Sequence, residues 1–175
     1  KMSEAYGAEV SEDQALKIRN DWRDANPNIV KLWSDVERAA KNAVSYGTEF
    51  QAAKGFFKLV DGDLLFKTPS NRILSFPHAK IQPTDRGVEL VYEGMNNHIH
   101  KWSQIKAYGG SLVQSITQAV ARDVLAEAVL RLENANYPVV LHVHDEIIAD
   151  VPNDHGSLAE FESLMCELPV WAEGL

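Results

Sequence analysis

The sequence has little of what a secreted or membrane protein needs. It contains one cysteine, Cys166, so no disulfide can form within the chain. It contains no run of about eighteen apolar residues, so no segment has the pattern of a membrane-spanning helix. The first ten residues, KMSEAYGAEV, lack the apolar core of a signal peptide. We therefore expect a cytoplasmic protein with no membrane partner.

Basic residues are absent from the C-terminal segment, residues 136–175. The whole chain has 17 Lys and Arg and 25 Asp and Glu, which gives a net charge of −8. Residues 1–135 contain every basic residue and 17 of the acidic ones, so their charges cancel, and residues 136–175 contain the other 8 acids. A DNA backbone is usually bound by a basic surface, whereas carboxylates suit cations. The composition of this segment therefore favours cation binding over DNA binding.

The first half of the chain alternates helical and strand patterns. Residues 11–46 contain a capping box at Ser11 and a second start signal at Asn26-Pro27, which together predict a helical hairpin. Residues 54–92 contain short strand-like runs that are separated by prolines and by an Asp-Gly turn. These runs predict a small irregular β region.

The second half predicts a long helix followed by a β-hairpin. Residues 111–133 carry one apolar stripe at helical spacing. Two runs rich in β-branched residues then flank the dipeptide Asp145-Glu146. So short a connection predicts that about 138–144 and 147–151 pair as an antiparallel hairpin with the two acids at its tip. The predicted fold class is therefore α+β, with a long helix packed on an antiparallel β-hairpin.

Two adjacent carboxylates between apolar strands limit what this tip can do. Burying Asp145 and Glu146 without partners would be costly, so they either face water or hold a cation. Mg²⁺ takes oxygen ligands in near-octahedral geometry and keeps several waters, which suits a carboxylate at a rigid turn. The dipeptide is therefore a candidate magnesium site.

Val143-His144-Asp145-Glu146 resembles motif C of the family A DNA polymerases, and its surroundings are similar to that family too. Residues 109–123 look like the long palm helix that precedes the motif, in the form found in prophage-encoded members. Residues 11–46 look like fingers helices, and residues 68–77 resemble a strand segment that follows the fingers. The resemblance covers nearly the whole chain. It implies a C-terminal fragment with a distal fingers-like part at 1–105 and a palm-like part at 106–175.

The resemblance implies template-directed nucleotidyl transfer with two Mg²⁺ ions, acting on a DNA primer-template and a dNTP. Asp145 matches the aspartate that shares the metal ions, and Glu146 matches its acidic neighbour. His144 matches the histidine beside the primer terminus. Gln118 matches a palm-helix glutamine that contacts template or primer in the minor groove.

Two parts of the family pattern have no counterpart in these 175 residues. No segment resembles motif A, which carries the first catalytic aspartate, and none resembles the nucleotide-binding helix with its Lys and Arg. One carboxylate cluster alone cannot dehydrate Mg²⁺ well. We therefore expect the chain alone to bind Mg²⁺ weakly and to lack measurable polymerase activity.

Two other functions fit parts of the sequence. The pairs His98/His100 and His142/His144 could form a transition-metal site that Asp145 or Glu146 completes, as in metal-dependent hydrolases, and this alternative predicts tight zinc binding. The second alternative is a non-catalytic module whose acidic residues 136–175 bind a basic partner.

Overall fold

The computed structural model describes residues 10–85, 87–96 and 99–174, and it has the predicted α+β architecture. The helices of this part of the chain are α1 (Glu12–Ala25), α2 (Pro27–Tyr46), α3 (Gly109–Asn134) and α4 (Leu158–Cys166). The strands are β1 (Phe50–Ala52), β2 (Gly55–Val60), β3 (Asp63–Lys67), β4 (Ile73–Phe76), β5 (Lys80–Thr84), β6 (Gly87–Asn96), β7 (Lys101–Ala107), β8 (Val139–Val143) and β9 (Glu146–Ala149). A short 3-10 helix follows at Val170–Ala172. None of the described helices combines the length and apolar character needed to cross a membrane.

The predicted helical hairpin is confirmed, and its ends follow the local signals. Ser11 and Gln14 form a reciprocal capping box at the start of α1, with N···O distances of 3.0 and 3.2 Å. Pro27 begins α2, and Gly47 ends it in the left-handed conformation that glycine adopts without strain. Helix α1 buries none of its residues, so the core contacts of the hairpin come from α2.

The β region is larger and more regular than the sequence predicts. Seven strands form two antiparallel sheets, one in the order β1-β2-β3-β4 and one in the order β5-β6-β7. The expected Asp61-Gly62 turn joins β2 to β3. Strands β5 and β7 were not predicted, because β5 contains Pro83 and β7 has a largely polar sequence. Pro83 lies near the end of β5, which is an edge strand, where a missing backbone donor is tolerated.

One hydrophobic core joins α2, both sheets and the first half of α3. Its most deeply buried members include Val36, Phe57, Phe66, Leu90 and Leu112. The predicted boundary between the fingers-like part (1–105) and the palm-like part (106–175) falls inside β7, which continues to Ala107.

The start of α3 packs directly on the backbone of α2. A Cβ atom added to Gly109 would lie 2.1 Å from the carbonyl oxygen of Trp33, so only glycine fits without displacing backbone. The N–H of Gly109 donates to Glu37 Oε2 at 2.9 Å, and Lys41 Nζ lies 2.7 Å from Glu37 Oε1. Lys41 also donates to the carbonyl of Val88 at 3.0 Å. These contacts join α2, β6 and α3 at one point.

The charge of Glu37 is stabilised at this junction. Burial is the largest single influence and would raise the pKa of Glu37, but hydrogen bonds from Lys41 and from the Gly109 N–H outweigh it and leave the pKa lowered. Glu37 therefore favours the folded state at neutral pH, and this contribution is lost as the pH falls through its folded-state pKa.

Replacing Gly109 tests the close contact between the helices. We expect Gly109→Ala to lower the free energy of unfolding by about 1–3 kcal/mol, because the new methyl group meets backbone that cannot move aside. Gly110→Ala is the matched control, since its Cβ would meet side chains and no backbone: the exposed Tyr108 ring at 3.0 Å and the Trp33 ring at 4.0 Å. That control should be neutral or stabilising by up to about 1 kcal/mol, because alanine favours helix more than glycine. Urea unfolding followed by circular dichroism measures both, and equal effects would contradict the assignment.

Candidate functional site

The predicted acidic hairpin is present in the structure. Strands β8 and β9 pair antiparallel, with Val143 opposite Glu146, so the turn consists of His144 and Asp145. Both strands are shorter than predicted, at Val139–Val143 and Glu146–Ala149. Asp145 and Glu146 are exposed at the tip, where their carboxylates can reach a cation or a ligand in solution.

His144 holds a backbone conformation that is unfavourable for its residue type. Its φ angle is +53°, in the left-handed region. The clash between Cβ and the carbonyl oxygen there costs a residue other than glycine about 1–2 kcal/mol. Strain of this kind is common at functional sites, where a side chain must be presented in a fixed direction. The turn therefore keeps an imidazole next to Asp145 at a cost in stability.

The two faces of the hairpin differ in their surroundings. A register shift leaves Val140 as an extra residue in β8. Beyond it, one face carries the half-buried Ile147 opposite His142. Ile147 and its neighbour Ile148 both line a cavity of about 400 Å³ beside α4. The opposite face carries residues that are all exposed: Leu141, Val143, Glu146 and Ile148.

Helix α3 lies beside the hairpin, close to its tip. The chain leaves α3 at Asn134, and β8, which begins at Val139, runs back beside the helix as far as Arg122. The structure shows this contact directly, with Arg122 Nη2 3.4 Å from His142 Nε2.

Gln118 lies one helical turn before Arg122, on the same side of α3. It is exposed and does not belong to the buried stripe of this helix, which includes Ile116 and Ala119. The Arg122–His142 contact joins α3 to the hairpin. Gln118 is exposed on α3 near this contact, and His144 and Asp145 are exposed at the nearby turn of the hairpin. Their roles in binding stay predictions.

A polar cluster fixes the middle of α3, and sequence reasoning missed it. Asp123 Oδ1 is 2.8 Å from Arg72 Nε, and Asp123 Oδ2 accepts from Ser70 Oγ at 2.5 Å. Arg72 Nη2 also donates to the carbonyl of Ala119 at 2.6 Å. The side chain of Asp123 is only 13% exposed, so these contacts compensate for its burial. The signal that could have revealed the cluster is the position of Asp123, seven residues after Ile116 and so on the apolar stripe of the helix. A carboxylate buried there needs a hydrogen-bond or charged partner.

The hydrolase alternative finds no support in this arrangement. Within residues 10–85, 87–96 and 99–174, no group of three or more His, Cys, Asp or Glu side chains is placed to hold a metal ion. His98 lies outside the described residues. His100 is exposed in the turn that precedes β7, and His142 contacts Arg122. Asp145 and Glu146 could supply one or two ligands to a Mg²⁺ ion, which commonly completes its coordination with water and substrate oxygens.

A known protein is similar to this chain along most of its length. The chain is 41% identical over 169 residues, or 95% of its length, to the DNA polymerase of Bacillus phage SP02. The chain spans about a quarter of that curated relative, 26% of its length. It matches no protein-family model and no solved structure. The similarity to a part of a phage DNA polymerase supports the interpretation of this chain as part of a DNA polymerase and favours neither the hydrolase nor the acidic binding module.

Substituting the turn histidine tests the strain at the tip. We expect His144→Gly to raise the free energy of unfolding by about 0.5–1 kcal/mol, because relief of the left-handed strain exceeds the entropy that glycine loses on folding. His142→Gly, two residues earlier in β8, should instead lower it by about 0.5–1 kcal/mol, because glycine weakens a strand and the Arg122 contact is removed. Urea denaturation of the two variants checks the opposite signs. Destabilisation by both would show that the His144 turn is not strained.

Proposed function

We propose that this chain is the motif C-bearing part of a family A DNA-directed DNA polymerase of the phage type. The observation that carries the proposal is the match of 95% of the chain to the phage SP02 DNA polymerase. The exposed carboxylates at the turn of β8 and β9 support it, because this placement suits a site that shares metal ions with a substrate. The C-terminal position of this part in a longer enzyme belongs to the proposal.

The proposed reaction joins the 3′-hydroxyl of a DNA primer to the α-phosphate of a dNTP and releases pyrophosphate. When bound, Mg²⁺ supplies charge stabilisation to the oxygens that attack and leave. Asp145 would hold the metal, and Glu146 would stand at the periphery of the site. His144 would lie beside the primer terminus, and Gln118 would contact the template or primer from α3.

We propose further that the 175 residues alone do not extend a primer. Asp145 lies in the hairpin turn and Glu146 is the first residue of β9, and the described residues add no third acidic or histidine ligand to them. Phosphoryl transfer depends on cations that hold the triphosphate. No segment of the sequence resembles the helix that would supply them.

A manganese titration tests the metal site separately from activity. Mn²⁺ replaces Mg²⁺ at oxygen ligands and broadens NMR signals of nearby nuclei, so amide signals of residues 144–147 should broaden first in the ¹⁵N-labelled chain. Asp145→Asn should remove this broadening, because it deletes the charge that holds the ion. Asp154→Asn is the matched control, since Asp154 is an exposed acid of the same segment outside the hairpin.

The outcomes of this titration separate the proposal from the acidic-module alternative. Broadening at the tip that depends on Asp145 alone supports the polymerase site. Broadening spread over residues 136–174, and reduced equally by both substitutions, would indicate diffuse electrostatic attraction and would contradict the proposed metal site. A primer-extension assay with dNTPs and Mg²⁺ should show no product, and efficient extension would refute the proposed inactivity of the chain alone.

A further inference from the structure

Arg122 differs from the other basic residues of the palm-like part in having no acidic partner. Lys106 Nζ pairs with Glu89 at 2.8 Å. Arg131 Nε lies 4.0 Å from the Glu167 carboxylate, and Arg131 also donates to the carbonyls of Leu164 and Glu167 at 3.0 and 2.6 Å. Across the described residues, by contrast, no carboxylate lies within ion-pair distance of Arg122, and its contact is the 3.4 Å approach to His142 Nε2.

The position of Arg122 places this positive charge beside the acidic hairpin. It is exposed on α3, one turn after Gln118, and its guanidinium reaches β8 close to the turn that carries Asp145. Residues 136–175 contain no Lys or Arg. Arg122 therefore supplies positive charge at a surface that is otherwise acidic.

The chemistry of the side chain suits a phosphate. A guanidinium has five N–H donors in a planar fork, which matches two oxygens of a phosphate group. The contact with His142 uses at most one of these donors, and an imidazole carries no negative charge that would neutralise the guanidinium. A structural arginine of this protein looks different, because Arg72 is bound by the Asp123 carboxylate and by the carbonyl of Ala119.

We propose that Arg122 binds a backbone phosphate of the DNA strand that lies over the β8–β9 hairpin. This inference rests on the proposed function and deepens it. Gln118 contacts the groove one turn away on the same helix, while Arg122 holds the strand by its phosphate. The contact carries no sequence information and sets the position of the duplex relative to Asp145.

The salt dependence of DNA binding tests the proposal. Anisotropy of a fluorescein-labelled primer-template is measured with the 175-residue chain between 25 and 200 mM KCl. The slope of log K, the association constant, against log salt concentration is negative, and loss of one phosphate contact lowers its magnitude by about 0.9. We expect this change for Arg122→Gln. Arg122→Lys should keep the slope, because lysine still neutralises a phosphate as a point charge.

Arg19→Gln is the matched control. Arg19 is exposed on α1, donates to Asn20 and has no ion pair among the described residues, so its loss changes the net charge equally at a distant position. Its slope should equal that of the unmodified chain. An equal fall in the Arg19 and Arg122 variants would overturn the inference in favour of general electrostatics.

Further outcomes separate this inference from the function on which it rests. Failure of the unmodified chain to bind primer-template at 25 mM KCl would overturn the role of Arg122, whereas the proposed function is tested separately by the manganese titration. Binding with an unchanged slope in Arg122→Gln would overturn only the role of Arg122. A separate titration with inorganic triphosphate distinguishes the source of the phosphate, since an effect of Arg122→Gln confined to triphosphate would assign the residue to the nucleotide instead of DNA. Thermal unfolding of each variant confirms that its fold is retained.

Discussion

The close packing of Gly109 on the backbone of Trp33 sets the position of α3, and the candidate site depends on that helix. The contact leaves no room for a side chain at Gly109. The Glu37 carboxylate also accepts a hydrogen bond from the Gly109 N–H in the first turn of α3. A helix is a rigid element, so a displacement at its start moves every residue that follows. Gln118 and Arg122 lie about 14–20 Å further along the axis. The Gly109–Trp33 contact, which is remote from the acidic tip, therefore sets the positions of Gln118 and Arg122.

A second contact fixes the same helix near its middle. The Arg72–Asp123 pair and the Ser70 hydroxyl connect the β3–β4 turn to the helical turn that follows Gln118. Because α3 is held at both points, its exposed side has little freedom to rotate relative to the sheets. The hairpin is then positioned by α3 through the short connection after Asn134 and through the approach of His142 to Arg122.

Local patterns predicted the parts of the structure that depend on neighbouring residues. Two β-branched runs around Asp145-Glu146 were sufficient for the hairpin, and the capping box at Ser11 marked the first helix. Strands β5 and β7 were not predicted, because their stability comes from pairing with β6 and not from their own sequences. The Asp123 cluster could not be assigned partners, since Ser70 and Asp123 are 53 positions apart and nothing local connects them.

The exposed face of the hairpin has a consequence for the behaviour of the protein in solution. In the described part of the chain β8 and β9 form a sheet of two strands, so each has one unpaired edge, and Leu141, Val143 and Ile148 are each about half exposed. Such edges can pair with a second molecule and start aggregation. The charges of Asp145 and Glu146 oppose that association, because two tips brought together would repel each other. The two carboxylates therefore act as gatekeepers against self-association, and any cation that neutralises them weakens this protection.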